Sequence, residues 1–112
     1  MSFLQNALLT GVLTTAIAIP FAASAGNHEV TMKSISFEPK VLEIQTGESV
    51  TWVNKSHTNH SATAEDGSFD TKMVNPDKSS KAISFEKVGT FSYHCQLHGK
   101  TMNGQIVVKE KR

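Results

Sequence analysis

The stretch Tyr93-His94-Cys95-Gln96-Leu97-His98-Gly99-Lys100-Thr101-Met102 holds the only cysteine of the chain, followed by a histidine three positions on and a methionine seven positions on. A thiol, an imidazole and a thioether this close together form a donor set for a soft metal ion. A soft thiolate combined with imidazole and thioether selects copper, and two histidines, one cysteine and a distant axial methionine are the set used for one-electron transfer. The second histidine must come from elsewhere. The segment from Asn54 to Asp70 supplies two candidates, His57 and His60, directly after the hydrophobic run that contains Trp52. Met32 and Met73 lie outside both segments and read as packing residues.

Such donors need a rigid frame. After residue 25 the chain reads as short alternating runs: Val30 to Ser34, Val41 to Thr46, Ser49 to Asn54, Ser61 to Ala64, Ala82 to Phe85, Phe91 to Cys95 and Gly104 to Lys109. Turn residues fall between them around Gly47, Gly67, Pro76 and Gly89. No run has a helical period, so the pattern predicts an all-β, Greek-key β-sandwich of seven to eight strands. Within each strand Leu42 and Ile44, Val50 and Trp52, Ile83 and Phe85, Phe91 and Tyr93, and Ile106 and Val108 share a face and should form the core. Cys95 keeps the parity of Phe91 and Tyr93 and so points inward, whereas His94 points outward and is a poor ligand. Asp66 to Ser80 is the one loop long enough to vary.

At 112 residues, with 38% apolar residues and a net charge of +1, the chain is one small domain. It has no basic run to bind nucleic acid or an anionic membrane. The first 28 residues lack Asp, Glu, Lys and Arg, and an apolar middle is followed by Ala23 and Ala25. This is the layout of a signal peptide spanning residues 1–25 and cleaved after Ala25, which leaves residues 26–112 as the mature domain; the alternative is that the segment is kept as an uncleaved membrane anchor. With cleavage, a secreted, periplasmic monomer without stable membrane association is expected. In an oxidising compartment a lone thiol needs protection, which metal coordination provides.

The segments "SISFEPKVLEIQTGESVTWVNKSHTNHSATAEDGSFD" and "FEKVGTFSYHCQLHGKTMNGQIVV" together resemble the cupredoxins, particularly the amicyanin, plastocyanin and pseudoazurin group. The resemblance covers nearly the whole mature chain. It implies a single type 1 copper held by His60, Cys95, His98 and Met102, with His60 rather than His57 as the first ligand. It also implies a soluble carrier that shuttles single electrons between redox partner proteins, docking through a patch around Leu97 and His98, with Lys100 at its rim. Three positions depart from the family pattern: Leu97 stands where proline commonly stiffens the loop, three residues separate His98 from Met102, and Ser61 replaces a common asparagine. The Ser61 hydroxyl is a candidate to tie the two ligand segments together.

Four protein ligands leave no open position for a substrate, and no Ser-His-Asp set, paired carboxylates or phosphate loop is present, so an enzyme is not expected. The alternative is a copper carrier that delivers the ion without redox cycling. Cleavage after Ala25 would also leave Gly26-Asn27-His28 at the new terminus, a spacing that can wrap Cu(II) in a square-planar nitrogen set. The competing reading is that His28 simply begins the first strand.

Overall fold

The computed structural model describes residues 26–111, so the expected signal segment lies outside the described residues. Eight strands form two sheets: β1 (Asn27–Met32), β2 (Phe37–Glu38), β3 (Val41–Gln45), β4 (Glu48–Asn54), β5 (Thr63–Ala64), β6 (Ile83–Phe85), β7 (Gly89–Cys95) and β8 (Gly99–Lys109). One sheet has the order β2-β1-β4-β6 and the other β3-β8-β7-β5. Each contains one parallel pair, β1 with β4 and β3 with β8, and the remaining pairs are antiparallel. The all-β sandwich expected from the alternation is therefore the architecture observed.

Period-two burial is clearest where it matters for the site. Val50, Trp52 and Asn54 are buried on β4, Tyr93 and Cys95 on β7, and Met102, Gly104, Ile106 and Val108 on β8. Between the sheets, Tyr93 packs edge-on to Phe37 (ring centroids 4.7 Å apart) and to Trp52 (5.4 Å), and Phe69 stacks on Trp52 at 5.5 Å. Aromatic rings in these offset and edge-on arrangements bury large areas and fix the separation of the sheets.

Several boundaries differ from the sequence reading. β1 starts at Asn27 because its parallel pairing with β4 runs from Asn27 opposite Ser49 to Met32 opposite Asn54. It ends there because Lys33 N–H turns to the Ser36 carbonyl at 2.8 Å. β2, two residues long, is too short for alternation to mark it, and β5 keeps only Thr63 and Ala64 of the expected Ser61 to Ala64 run. Leu42, Ile83 and Phe91 are only partly buried, while Phe37, Phe69 and Val74 join the core. Asp66 to Ser80 is pinned rather than free, through single bridges of Thr63 to Asp70, His60 to Val74 and Val53 to Ser79. Met73 does not pack as expected; it is 46% exposed, whereas Met32 is fully buried.

Candidate metal centre

Cys95 is the last residue of β7, fully buried with a free thiol. After it the chain turns through Gln96, Leu97 and His98 and re-enters at Gly99, which pairs with Cys95 and has φ +65. Glycine suits that left-handed position because a Cβ there is sterically costly. The next pair is His94 with Asn103, so Lys100, Thr101 and Met102 bulge out of the ladder. A bulge bends its strand and re-aims side chains, and here Met102 is fully buried. The sequence placed Met102 in a loop; the structure places it in a bulge at the start of β8.

His60 is delivered by a different device. Asn54, fully buried at the end of β4, donates from Nδ2 to the carbonyls of Thr58 and Val74, both at 2.8 Å. Its Oδ1 accepts the Ser56 N–H at 2.8 Å and the Ser56 hydroxyl at 2.7 Å. With both ends of the amide satisfied, the turn over residues 55–59 has one geometry. Beyond it, His60 exchanges main-chain hydrogen bonds with Val74, His60 N–H to Val74 O at 3.2 Å and Val74 N–H to His60 O at 2.7 Å. His60 is fully buried and His57 is exposed. The role of Asn54 escaped sequence reasoning, although a polar residue holding core parity at a strand end was its visible signal.

The two loops bring three donors together. Cys95 Sγ lies 3.7 Å from His60 Nδ1 and 3.5 Å from His98 Nδ1, and the ligating atoms of the three residues all fall within 4.8 Å of one another. The imidazole rings are 4.9 Å apart and tilted by 45°. An ion with bonds of about 2.0 Å to nitrogen and about 2.3 Å to sulfur, the lengths zinc makes, separates N from S by about 3.7 Å in a trigonal plane. The spacings of 3.7 and 3.5 Å match that within a few tenths of an ångström. His94, by contrast, turns outward and its Nδ1 meets Glu65 Oε2 at 2.8 Å.

Burial lowers the pKa of His60, and the neighbouring His98 lowers it further, against a main-chain hydrogen bond at Lys33. His60 is thereby kept neutral with a free lone pair. Its Nε2 lies 3.3 Å from Thr58 Oγ1, which suits a tautomer with the proton on Nε2 and the lone pair on Nδ1 facing the sulfur. Ser61 N–H points at Cys95 Sγ from 3.5 Å, a contact that sets the first histidine loop against the sulfur. The Ser61 hydroxyl accepts the N–H of Gln96 at 2.9 Å, so it does join the two ligand segments. Away from the centre, His28 sits within β1 and its Nε2 meets Glu48 Oε1 at 2.9 Å.

A two-histidine, one-cysteine cluster on a β-sandwich defines a class of metalloprotein. The model of the cupredoxin-like domain matches residues 6–108; the chain belongs to the cupredoxin family, and its cofactor is copper. It is 28% identical to amicyanin of Paracoccus denitrificans over 111 residues, covering 89% of this chain and 84% of that one. It is 34% identical to plastocyanin of Scenedesmus fuscus over 88 residues, covering 68% and 89%. A reduced Cu(I) form of an amicyanin mutant superposes with a TM-score of 0.67 at 26% identity, over 75% of this chain and 83% of that one. A Cu-containing nitrite reductase from Thermus scotoductus also superposes, with a TM-score of 0.67 at 32% identity, over 75% of this chain but only 22% of that one.

Proposed function

We propose that this protein shuttles single electrons between redox partner proteins through one copper held by His60, Cys95, His98 and Met102. The convergence of His60 Nδ1 and His98 Nδ1 on Cys95 Sγ, from two loops about 35 residues apart, is the observation that carries this reading. Copper, when bound, supplies a one-electron Cu(I)/Cu(II) couple. Cys95 offers a sulfur shielded by the core. His60 is locked by its main-chain pairing with Val74, and Met102 brings a buried thioether from the bulge of β8. Donors fixed this way before metal arrives suit a site that changes charge without rearranging.

Docking fits the end of the sandwich where His98 is half-buried next to Leu97, which is 58% exposed. The turns at this end, residues 33–36, 55–59, 70–80 and 96–100, carry five lysines against two aspartates. A partner with an acidic rim around an apolar spot is favoured by such a surface, mainly through association rate. We place the mature domain, residues 26–112, outside the cytoplasm as a monomer after cleavage behind Ala25. Such a carrier performs no turnover chemistry of its own.

Copper loading of the mature domain tests the proposal. The intense visible absorption of a copper–thiolate, together with a reversible midpoint potential, is the expected result. Rapid loss of copper to a chelator without reversible redox cycling would instead identify a delivery protein.

A further inference from the structure

The ligand turn Gln96–His98 carries Leu97 where proline would fix φ, so other contacts must hold it. One is traceable from the turn to the surface. Gln96 N–H donates to Ser61 Oγ at 2.9 Å, Ser61 Oγ lies 3.0 Å from Thr63 Oγ1, and Thr63 Oγ1 lies 3.0 Å from Asp70 Oδ1. An ionised carboxylate only accepts, so the Thr63 hydroxyl must donate to Asp70. The Ser61 hydroxyl must then donate to Thr63, which leaves its remaining lone pairs for Gln96. The direction of the whole chain is set from its outer end.

We propose that Asp70 is a positioning residue of the metal centre, acting through Thr63 and Ser61 on the amide next to Cys95. Asp70 is itself held firmly. Lys72 N–H donates to the same Oδ1 at 2.8 Å, and Lys72 Nζ lies 3.8 Å from Oδ2. Thr71 Oγ1 accepts the Ala62 N–H at 2.9 Å and donates to the Lys72 carbonyl at 2.7 Å. Residues 70–72 are thus stitched to residues 61–63, immediately beside His60. A cleft of about 410 Å³ lined by Ser61, Asp70, Lys72, Met73 and Gln96 borders the chain, which makes water the competitor for its hydrogen bonds. With the carboxylate in place the hydroxyls are aligned and polarise one another, so Gln96 N–H faces a fixed acceptor instead of solvent. The hydrogen bonds are independent of metal; their consequence for copper rests on the ligand reading above.

Amide hydrogen exchange of the metal-free chain and copper release to a chelator test this together. Relative to the Ile106 amide in the core ladder, Gln96 should exchange about fivefold faster in both Asp70→Ala and Thr63→Val, the scale of one ordinary hydrogen bond. Thr63→Ser, which keeps the hydroxyl, should retain the parental rate. Copper release should accelerate in the same two variants and not in the third. Thr63→Val leaves the Asp70 contacts with Lys72 intact, so an effect of Asp70→Ala alone would reduce Asp70 to a turn residue and overturn the proposal. Faster exchange with unchanged copper release would overturn it as well. A parent chain that binds no copper would defeat the copper reading instead, while the Gln96 rates would still report on the relay.

Discussion

The N–H of Ser61 points at the sulfur of Cys95 from 3.5 Å, and because Ser61 directly follows His60, this contact sets the first histidine loop against the thiol. His57, three positions earlier, is on the exposed side of the same turn. The two histidines should therefore separate cleanly on substitution. His60→Ala should weaken copper binding by more than about tenfold, since even losing a group that merely supports a ligand costs that much, and should abolish the copper–thiolate absorption. His57→Ala should change neither. A competition titration with a chelator, read alongside the visible spectrum, checks both.

Gly104 is required by its neighbour rather than by its own backbone. A Cβ placed there would lie 2.5 Å from the Tyr93 hydroxyl, 2.6 Å from its Cζ and 3.0 Å from the Lys40 carbonyl. Tyr93 cannot retreat, because Phe37, Trp52 and Phe69 all pack against it. Gly104→Ala should cost about 2 kcal/mol by overpacking, a fall in Tm of about 10 °C for a domain of this size. Thermal unfolding of the metal-free domain measures it.

The donor types and the strand parity of Cys95 were legible because both are local: chemistry is a property of each residue, and facing follows from a period of two. The core was legible where alternation runs through a strand paired on both sides, as at Val50, Trp52, Ile106 and Val108, and obscure at Phe37, Phe69 and Val74, which enter it from short or irregular segments. What spacing could not reveal was closure between loops. The choice of His60 over His57 depends on Asn54 fastening the turn between them, and Met102 reaches the interior through a bulge whose register shift has no signature in a single sequence. The relay from Gln96 to Asp70 spans three segments and becomes visible only when they are folded together.

The terminal Gly26-Asn27-His28 spacing yields a prediction opposite to its sequence appeal. A square-planar nitrogen site would need the His28 imidazole and the adjacent amides, but the ring meets Glu48 and the main chain of this segment pairs with β4. Ser49 N–H also donates to the Gly26 carbonyl at 2.7 Å. The mature domain should therefore bind one equivalent of Cu(II), and His28→Ala should leave the stoichiometry unchanged. Isothermal titration of both proteins decides it, and a second equivalent lost in His28→Ala would show that the strand end opens to copper.

Tyr93 predicts how stability responds to alkali. Its hydroxyl and the Trp52 indole N–H are buried without a hydrogen bond of good geometry among the described residues, and burial raises the phenol pKa from 10.0 to about 12, opposed only weakly by the polar contact with the Trp52 side chain. Below pH 10 the phenol is neutral in both folded and unfolded chains, and it makes no pH-dependent contribution. Between pH 10 and pH 12 the unfolded chain releases the proton while the folded one retains it, so stability falls as pH rises, by up to about 1.4 kcal/mol per unit. Tyr93→Phe removes both the titration and a buried hydroxyl that satisfies no acceptor, so at neutral pH it should leave stability unchanged or slightly raised. Its advantage over the parent should grow through that alkaline window. Urea unfolding at pH 8, 10 and 11 measures the difference, in which the lysine titrations common to both proteins cancel; a constant gap across the series would show that the Tyr93 hydroxyl already reaches solvent.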